Sequence, residues 1–525
     1  MFLQDPPQPV DQYAADPVLH AELRRRLPPE VLAANEERFA ALGRATATEL
    51  HELSEQAEAQ LPEHIAFNAW GRRVDEIRVS PAWKRLKAFS AEHGLVSSGY
   101  EGDGHRRVVQ ATLLHLFSAS SAIYSCPLAM TDAAARVLIE QQVPGATERL
   151  LPQLLSTDPS TFITSGQWMT ETAGGSDLAN TGTVADHIDG LRYRLTGTKS
   201  FTSAVTSEMA LTLARVGDQP GSRGLSCFCV EVVRDEYGAM QDIEVNRLKD
   251  KLGTRALPTA ELTLSGVEAT LVGDLGRGVP TIATMLNVTR FHNAVSSASC
   301  MAKALYLARD YAGRRMAFGK LLREHPLHAW TLDLIEADYA GALALSMEVA
   351  ARMAPVEDGA EDTPLRALIP LAKLTLGKQA AAVGSEAIEC FGGAGYMEGT
   401  TLARLVRDSQ VLSIWEGTTN VLSLDLLRAE TKEGAWSALL AELGRRASAL
   451  SNTPVHAEIR TTLGRLVEKA KGLMGDRGRL EAHARRLALT TGFVAEAILL
   501  AELGDSGARS TAHLVEHRLS APLSL

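Results

Sequence analysis

The chain has 525 residues, and at about 150 residues per domain this predicts three or four domains around a large core. With 45% apolar and 22% charged residues and no low-complexity tract, fibrous and disordered classes are excluded. The net charge of −10 disfavours a protein whose main business is neutralising a phosphate backbone, although a local basic face could still do so.

The opening segment, MFLQDPPQPVDQYAADP, carries Asp5 and several prolines where an export signal needs a basic start and an apolar run, so a cytoplasmic protein is expected. The most apolar late stretch, 487–503, is broken by Glu496 and Glu502, and no membrane span is expected. Five cysteines (126, 227, 229, 300, 390) read as buried thiols. Cys227 and Cys229 lie in the run LSCFCVEVV, with no second Cys or His pair nearby to make a metal site.

Residues 18–160 carry helical signals, such as the Ala/Leu-rich stretch 131–141, and predict an all-helical N-terminal part. From about 161 the period falls to two: Leu191, Tyr193 and Leu195 alternate with Arg192, Arg194 and Thr196, and the pattern returns at Ala260, Leu262 and Leu264. Turns at DHIDG and VGDQPGSRG separate these strands and predict a small antiparallel β domain. Helical periodicity resumes near 278. Residues 279–312 read as one helix, and Leu332, Ile335, Tyr339, Ala342 and Leu343 form an apolar stripe on the next, as in a four-helix bundle. The predicted fold is therefore α+β and mainly helical: an N-terminal helical domain (1–160), a central β domain (161–275), a helical bundle (276–430) and extra C-terminal helices (431–525).

No GxGxxG opening a βαβ unit, no phosphate-binding P-loop, no HExxH and no GxSxG is present. Three polar clusters remain. GQWMTETAGGSD (166–177) places Gly174 and Gly175 between Thr170 and Ser176, giving exposed amides and hydroxyls suited to an anionic or carbonyl-rich cofactor; alone, such a cluster is more often just a turn. GTKSFTS (197–203) sets Phe201 beside hydroxyls as if to cover a flat ring, or simply ends a strand. In FGGAGYMEGTTLARLVRDSQVLSIWEGTTN (391–420), Glu416 follows the apolar SIW. A carboxylate in apolar surroundings suits general-base work, though a lone Glu before a turn is more often a helix-end residue.

In this order, the clusters resemble the acyl-CoA dehydrogenase family across most of residues 80–430. TETAGGSD is similar to its TEP-x-AGSD signature and RRMAFGKLL (314–322) to its R-x-x-FG element. ECFGGAGY (389–396) and IWEGTTN (414–420) are similar to its Q-x-x-GG-x-G and YEGT elements. GRRVDEIRVSPAW (71–83), SIWEG and the C-terminal helices look most like the subgroup containing AidB, a flavoprotein linked to the response to DNA alkylation.

The resemblance implies FAD bound between the β domain and the bundle. Met169, Thr170, Ser176, Phe201 and Ser203 would frame the flavin, and Arg315 and Phe318 would reach the FAD of a neighbouring subunit. Gly392, Gly393, Thr418 and Asn420 would complete the site. It implies α,β-dehydrogenation of an acyl-CoA or related thioester, with Glu416 removing the α-proton and Arg290 near substrate and base. Residues 275–309 hold no Asp or Glu, so Glu416 has no competing base on the bundle's first helix. A homotetramer, a dimer of dimers, is implied, with an electron-transfer flavoprotein or oxygen taking the electrons. Phe201 stands where many members have Trp, Asn287 where CoA-binding members often have Asp, and Glu389 and Pro326 each replace a Gln. The alternative is an AidB-like flavoprotein that binds duplex DNA through residues 460–486, where eight Lys/Arg face three acids. A redox-inert scaffold, or an oxidase acting on a carrier-bound metabolite, is the third reading.

Overall fold

The computed structural model describes residues 5–520. The chain opens with helices α1 (Pro17–Arg26), α2 (Pro29–Ala47) and α3 (Glu49–Ala59) and strands β1 (Glu63–Phe67) and β2 (Arg73–Arg78). Helices α4 (Pro81–Glu92), α5 (Arg106–Ser118), α6 (Ser125–Gln141) and α7 (Ala146–Leu154) follow. Seven strands come next: β3 (Ser165–Trp168), β4 (Val184–Asp189), β5 (Arg192–Ser203), β6 (Met209–Arg215), β7 (Leu225–Glu231), β8 (Ile243–Leu248) and β9 (Thr259–Val272). Helix α8 (Gly278–Arg314) leads to the short pair β10 (Met316–Ala317) and β11 (Lys320–Leu321), then to α9 (Pro326–Glu357), α10 (Leu365–Phe391) and α11 (Leu402–Val411). The chain continues through α12 (Thr419–Glu433), α13 (Ala435–Ala449), α14 (Pro454–Leu473), α15 (Arg477–Ala501) and α16 (Ala508–Leu514). Local chemistry sets many of these starts: Asp16 caps α1 by accepting from the Val18 and Leu19 amides at 3.0 Å, and Pro17, Pro81, Pro326 and Pro454 occupy first turns, where their missing N–H costs nothing.

The mainly helical chain with a central β domain is as the sequence predicts, and the helix expected over 279–312 is α8. Two features differ. The N-terminal part contains a hairpin, β1–β2, paired from Glu63↔Arg78 to Phe67↔Arg73. Its strands are too short to outweigh the surrounding helical pattern. The turn between them is closed by Asn68, whose Oδ1 accepts from the Trp70 and Arg72 amides, with Gly71 at φ +77°. The β domain is also not purely antiparallel, because β3 runs parallel to β6. No hairpin joins those strands; the chain makes β4 and β5 before returning alongside β3, and that crossover fixes the direction.

The residues divide into two compact units. One comprises Glu52–Tyr100 and Ser121–Thr289, the other the described residues up to His51, Glu101–Ser120 and the described residues from Arg290 on. In the first, pairings β4–β5, β5–β9, β9–β7, β7–β6 and β6–β4 close into a ring, with β3 and β8 attached outside it. Its core gathers Trp168, Tyr193, Leu195, Phe228, Val230 and Leu262, and α6 packs on β3 through Thr131 Oγ1, which accepts from the Ser165 amide at 3.0 Å.

In the helical unit α10 is central, packing against α9, α11, α12, α13 and α15. Gly492 lets α15 approach α10 so closely that a Cβ there would lie 2.2 Å from Thr375 Oγ1. An ion-pair chain ties distant segments: Arg26 and Arg446 both reach Glu348 (3.0 and 2.8 Å), and Arg446 and Arg25 both reach Glu502. Burial would raise the Glu348 carboxyl, but Arg26 and Arg446 override it and hold the group at about 2, against an ordinary 4.5. A depressed carboxylate stabilises fully above its unfolded pKa and loses that contribution as pH falls towards its folded one, here between about 4.5 and 2. We expect Glu348→Gln to cost roughly 3 kcal/mol at neutral pH and to flatten stability across that acid window, as read by denaturant unfolding at a series of pH values.

Candidate active site

In the helical unit, α11 ends at Val411, and residues 412–417 form an irregular turn before α12, whose N-cap is Thr418. Glu416 stands in this turn at φ +55° and Gly417 at φ +102°. A Cβ on Gly417 would lie 2.8 Å from a Leu422 methyl, so glycine is required there twice over. For Glu416 the left-handed conformation costs of order 1–3 kcal/mol and persists only where the surroundings impose it. Here they do. Arg290 Nε on α8 donates to the Glu416 carbonyl at 3.3 Å, and Lys373 Nζ on α10 donates to the Gly417 carbonyl at 2.6 Å. Asn293, one helical turn beyond Arg290, donates to the Leu412 carbonyl at 3.2 Å and accepts from the Trp415 indole N–H.

The charges behind the turn interlock. Arg290 Nη1 binds Asp425 Oδ2 at 3.1 Å and Arg366 Nη2 binds Asp425 Oδ1 at 2.8 Å. Burial would raise Asp425, but the two guanidiniums outweigh it and hold the carboxyl below its usual range. Burial lowers Arg290 despite the pull of Asp425 and Glu416. Lys373, fully buried, is brought down to about 7 by burial, with Glu416 pulling it back up and Arg290 pushing it further down. The structure thus brings Glu416 and Arg290 together. Lys373 and Asn293 are partners that motif reading misses, and the one signal for Lys373 is a lone cation in the apolar run LIPLAKLTL.

In the β unit the first two polar clusters are cross-linked. The Ser200 amide donates to the Thr170 carbonyl at 2.9 Å, and Lys199 Nζ donates to Glu171 Oε1 at 2.8 Å. Glu171 also accepts from the Gly182 amide (2.6 Å) and the Thr183 hydroxyl (2.5 Å), so the Glu of TETAGGSD is a buried pin. Glu171 and Gly174 bond each other's backbone across a tight turn, which leaves Gly175 and Ser176 exposed while Met169 is buried and Thr170 half-buried. A break in the β5–β9 register between Lys199 and Thr202 gives a bulge at Ser200–Phe201. The Phe201 ring there is 53% exposed, with the Lys249 ammonium 4.4 Å from its centroid. The Ser203 hydroxyl shares a hydrogen bond with Thr259 at 3.2 Å. An exposed aromatic face beside hydroxyls and turn amides is a donor set that fits a flavin ring and its polyol and phosphate chain.

The remaining predicted residues lie in the helical unit. Arg315, half-buried, begins the β10–β11 hairpin, and Phe318 at its tip is 98% exposed at φ +49°. Gly392 and Gly393 follow α10, both exposed, with no atom within 4 Å of where a Cβ would stand. Stacked rings of Tyr311 and Phe391, centroids 4.3 Å apart, bring the ends of α8 and α10 together, and with them Arg315 and the Gly392–Gly393 turn. Asn420 is exposed in the first turn of α12, accepting from Arg485 at 3.4 Å. Pro326, where family members carry Gln, opens α9.

All five cysteines are buried and none is in a disulfide, and burial pushes the Cys227 thiol up to about 12, as suits core packing. Among the described residues no helix is long and apolar enough to cross a membrane.

A helical domain that follows a β domain in sequence, with these loops and this carboxylate turn, has the acyl-CoA dehydrogenase architecture. Residues 166–267 match the acyl-CoA dehydrogenase middle domain, 276–431 its C-terminal domain, and 4–159 the N-terminal domain of the adaptive response protein AidB. The chain belongs to the acyl-CoA dehydrogenase family. It is similar to acyl-CoA dehydrogenase family member 11 of Caenorhabditis elegans, 42% identical over 96% of this chain and 86% of that one. It is also similar to AidB of Escherichia coli, 33% identical over 77% of this chain and 76% of that one. The crystal structure of C. elegans ACDH-11 in complex with C11-CoA matches with a TM-score of 0.92 and 39% identity, covering 99% of this chain and 93% of that one.

Proposed function

We propose that the protein is an FAD-dependent acyl-CoA dehydrogenase that introduces an α,β double bond into an acyl thioester, with Glu416 as general base. The observation that carries this reading is the Glu416 turn: a carboxylate held in a costly backbone conformation by two cations on its own and the following carbonyl, which is how strain is stored at a working site. Support for the thioester comes from the C. elegans relative, whose structure holds C11-CoA.

In the reaction, the Glu416 carboxylate takes the α-proton. The electron pair left behind forms the Cα–Cβ double bond, and the β-hydrogen departs with its bonding pair. The backbone N–H of Glu416 is the donor suited to polarise the thioester carbonyl, without which the α-proton is too weakly acidic. FAD, when bound, supplies the hydride acceptor. Residues that would hold it are Met169, Thr170, Ser176, Phe201 and Ser203, with Gly392, Gly393, Thr418 and Asn420. Arg315 and Phe318 would reach the FAD of a neighbouring subunit in a homotetramer, a reading that the almost fully exposed Phe318 ring supports. An electron-transfer flavoprotein is the proposed electron acceptor.

DNA binding gains no support from the 460–486 block: Arg465, Lys471 and Arg477 each pair with an acid on their own helix (Glu458, Glu468 and Glu481), as on a solvated helical face. The test is anaerobic mixing of the flavin-loaded protein with short, branched and long acyl-CoAs while flavin absorbance is followed. Bleaching by one chain class is the expected result. No bleaching by any thioester would overturn the reading.

A further inference from the structure

Lys373 has no place in the chemistry described so far, yet its position is hard to explain as packing. It lies fully buried in α10 within LIPLAKLTL, where a leucine would fill the same space without the cost of burying an amine. Its ammonium goes to the carbonyl of Gly417, one residue past the base. Arg290 holds the carbonyl of Glu416 itself, so two consecutive carbonyls are gripped by cations from two different helices. The Arg290 bond fixes the peptide plane between Glu416 and Gly417 and the Lys373 bond the next one, between Gly417 and Thr418, so Gly417 is held at φ +102° and cannot swing the Glu416 peptide, and the side chain it carries, out of place. Arg290 is also committed to Asp425, and Asn293 anchors the start of the turn at Leu412 and Trp415. Lys373 holds its far end.

We propose that Lys373 is the positioning residue of the general base: through the Gly417 carbonyl it keeps the turn in the conformation from which the Glu416 carboxylate reaches the substrate's α-proton. The inference rests on Glu416 being the base, and it concerns the residue that aims it. The charged groups that act on Lys373 are Glu416 in the turn and Arg290 on α8; Arg290 is in turn bound to Asp425 on α12, which Arg366 on α10 also holds.

The experiment compares Lys373→Met, which keeps length and removes the cation, with Lys373→Arg, Glu416→Gln and the double variant, all flavin-loaded. Misplacing a catalytic group by about an ångström costs on the order of 10²-fold. We expect Lys373→Met to lower kcat for flavin reduction by about that factor, with KM for acyl-CoA and flavin content within about twofold of wild type. Lys373→Arg should recover at least about tenfold of the loss by restoring a cationic donor. In the Glu416→Gln background, Lys373→Met should add nothing. As a reading independent of turnover, 13Cε-lysine NMR should show the Lys373 titration midpoint falling in Glu416→Gln, because the carboxylate that raises it is gone. Wild-type kcat in Lys373→Met, a raised KM with kcat intact, or an additive loss in the double variant would each overturn the proposal. Should Lys373→Met fail to fold, Lys373→Gln, whose amide is about one bond shorter and falls short of the Gly417 carbonyl, is the second variant, and a wild-type rate there would overturn the proposal equally. A wild-type rate in Glu416→Gln is a separate outcome, and it removes the base assignment instead.

Discussion

Glu416→Gln is expected to slow flavin reduction by saturating acyl-CoA by on the order of 10²–10⁴-fold while leaving the protein folded and able to bind thioester. The amide has nearly the shape of the carboxylate but cannot take a proton. The turn should survive the change, because Arg290 and Lys373 grip backbone carbonyls of residues 416 and 417 rather than the side chain. Substitute bases are scarce: α8 holds no acid before Asp310, and Asp425 is committed to two arginines. Stopped-flow absorbance of wild type and variant with the same acyl-CoA reads the effect directly, and a variant that bleaches at the wild-type rate would move the base elsewhere.

The second large effect is structural. Lys199→Met or Glu171→Gln should destabilise the β unit by about 3–5 kcal/mol, since each leaves the other member of a buried ion pair uncompensated. Changing both together should recover much of that loss, as no lone charge then remains. The single variants should also lose flavin, because Lys199–Glu171 holds the Phe201 bulge to the Thr170 loop beside the Ser200–Thr170 backbone bond. Burial would raise Glu171, but Lys199, Thr183 and the Gly182 amide together hold it below its usual 4.5. Its contribution is therefore present at neutral pH and fades only as pH falls below about 4.5 towards the lower folded value. Flavin content after desalting, together with denaturant unfolding at neutral pH, checks both parts. A single variant that kept wild-type flavin and stability would show that the pair is dispensable.

What the sequence reveals depends on how local the signal is. The α–β–α order is legible because period-two and period-3.6 patterns extend over whole domains, and Glu416 is legible because its neighbours form a contiguous motif. Lys373 and Asn293 are separated from Glu416 by 43 and 123 positions, and each looks like an ordinary helix residue until folding places it on the turn. The role of Glu171 is hidden for a similar reason: within TETAGGSD it looks like part of a polar loop, and only the Lys199 partner on another strand reveals a pin. Direction is equally invisible, since alternation marks a strand without saying which neighbour it will run alongside, and nothing in the sequence announces that β3 lies parallel to β6. The β1–β2 hairpin is missed because two strands of five and six residues carry too few alternations to stand out from helical surroundings.

The ion pairs on Arg25 and Arg26 bear on how this chain is made. Their partners include Glu348 and Glu502, with the Leu499 carbonyl also accepting from Arg25, across 322 to 477 positions. Helix α1 is made before any of these partners, those on α9 coming more than 300 residues later and those at the end of α15 later still. Until then Leu19 and Leu23, fully buried in the finished protein, have no α9 to cover them. Contacts of such long sequence separation form slowly and leave the nascent chain exposed to aggregation, which makes synthesis the vulnerable stage for this protein. Damage at the end of α15 would likewise reach both α1 and α13, since Arg25 and Arg446 would lose Glu502 while Arg26 keeps Glu348.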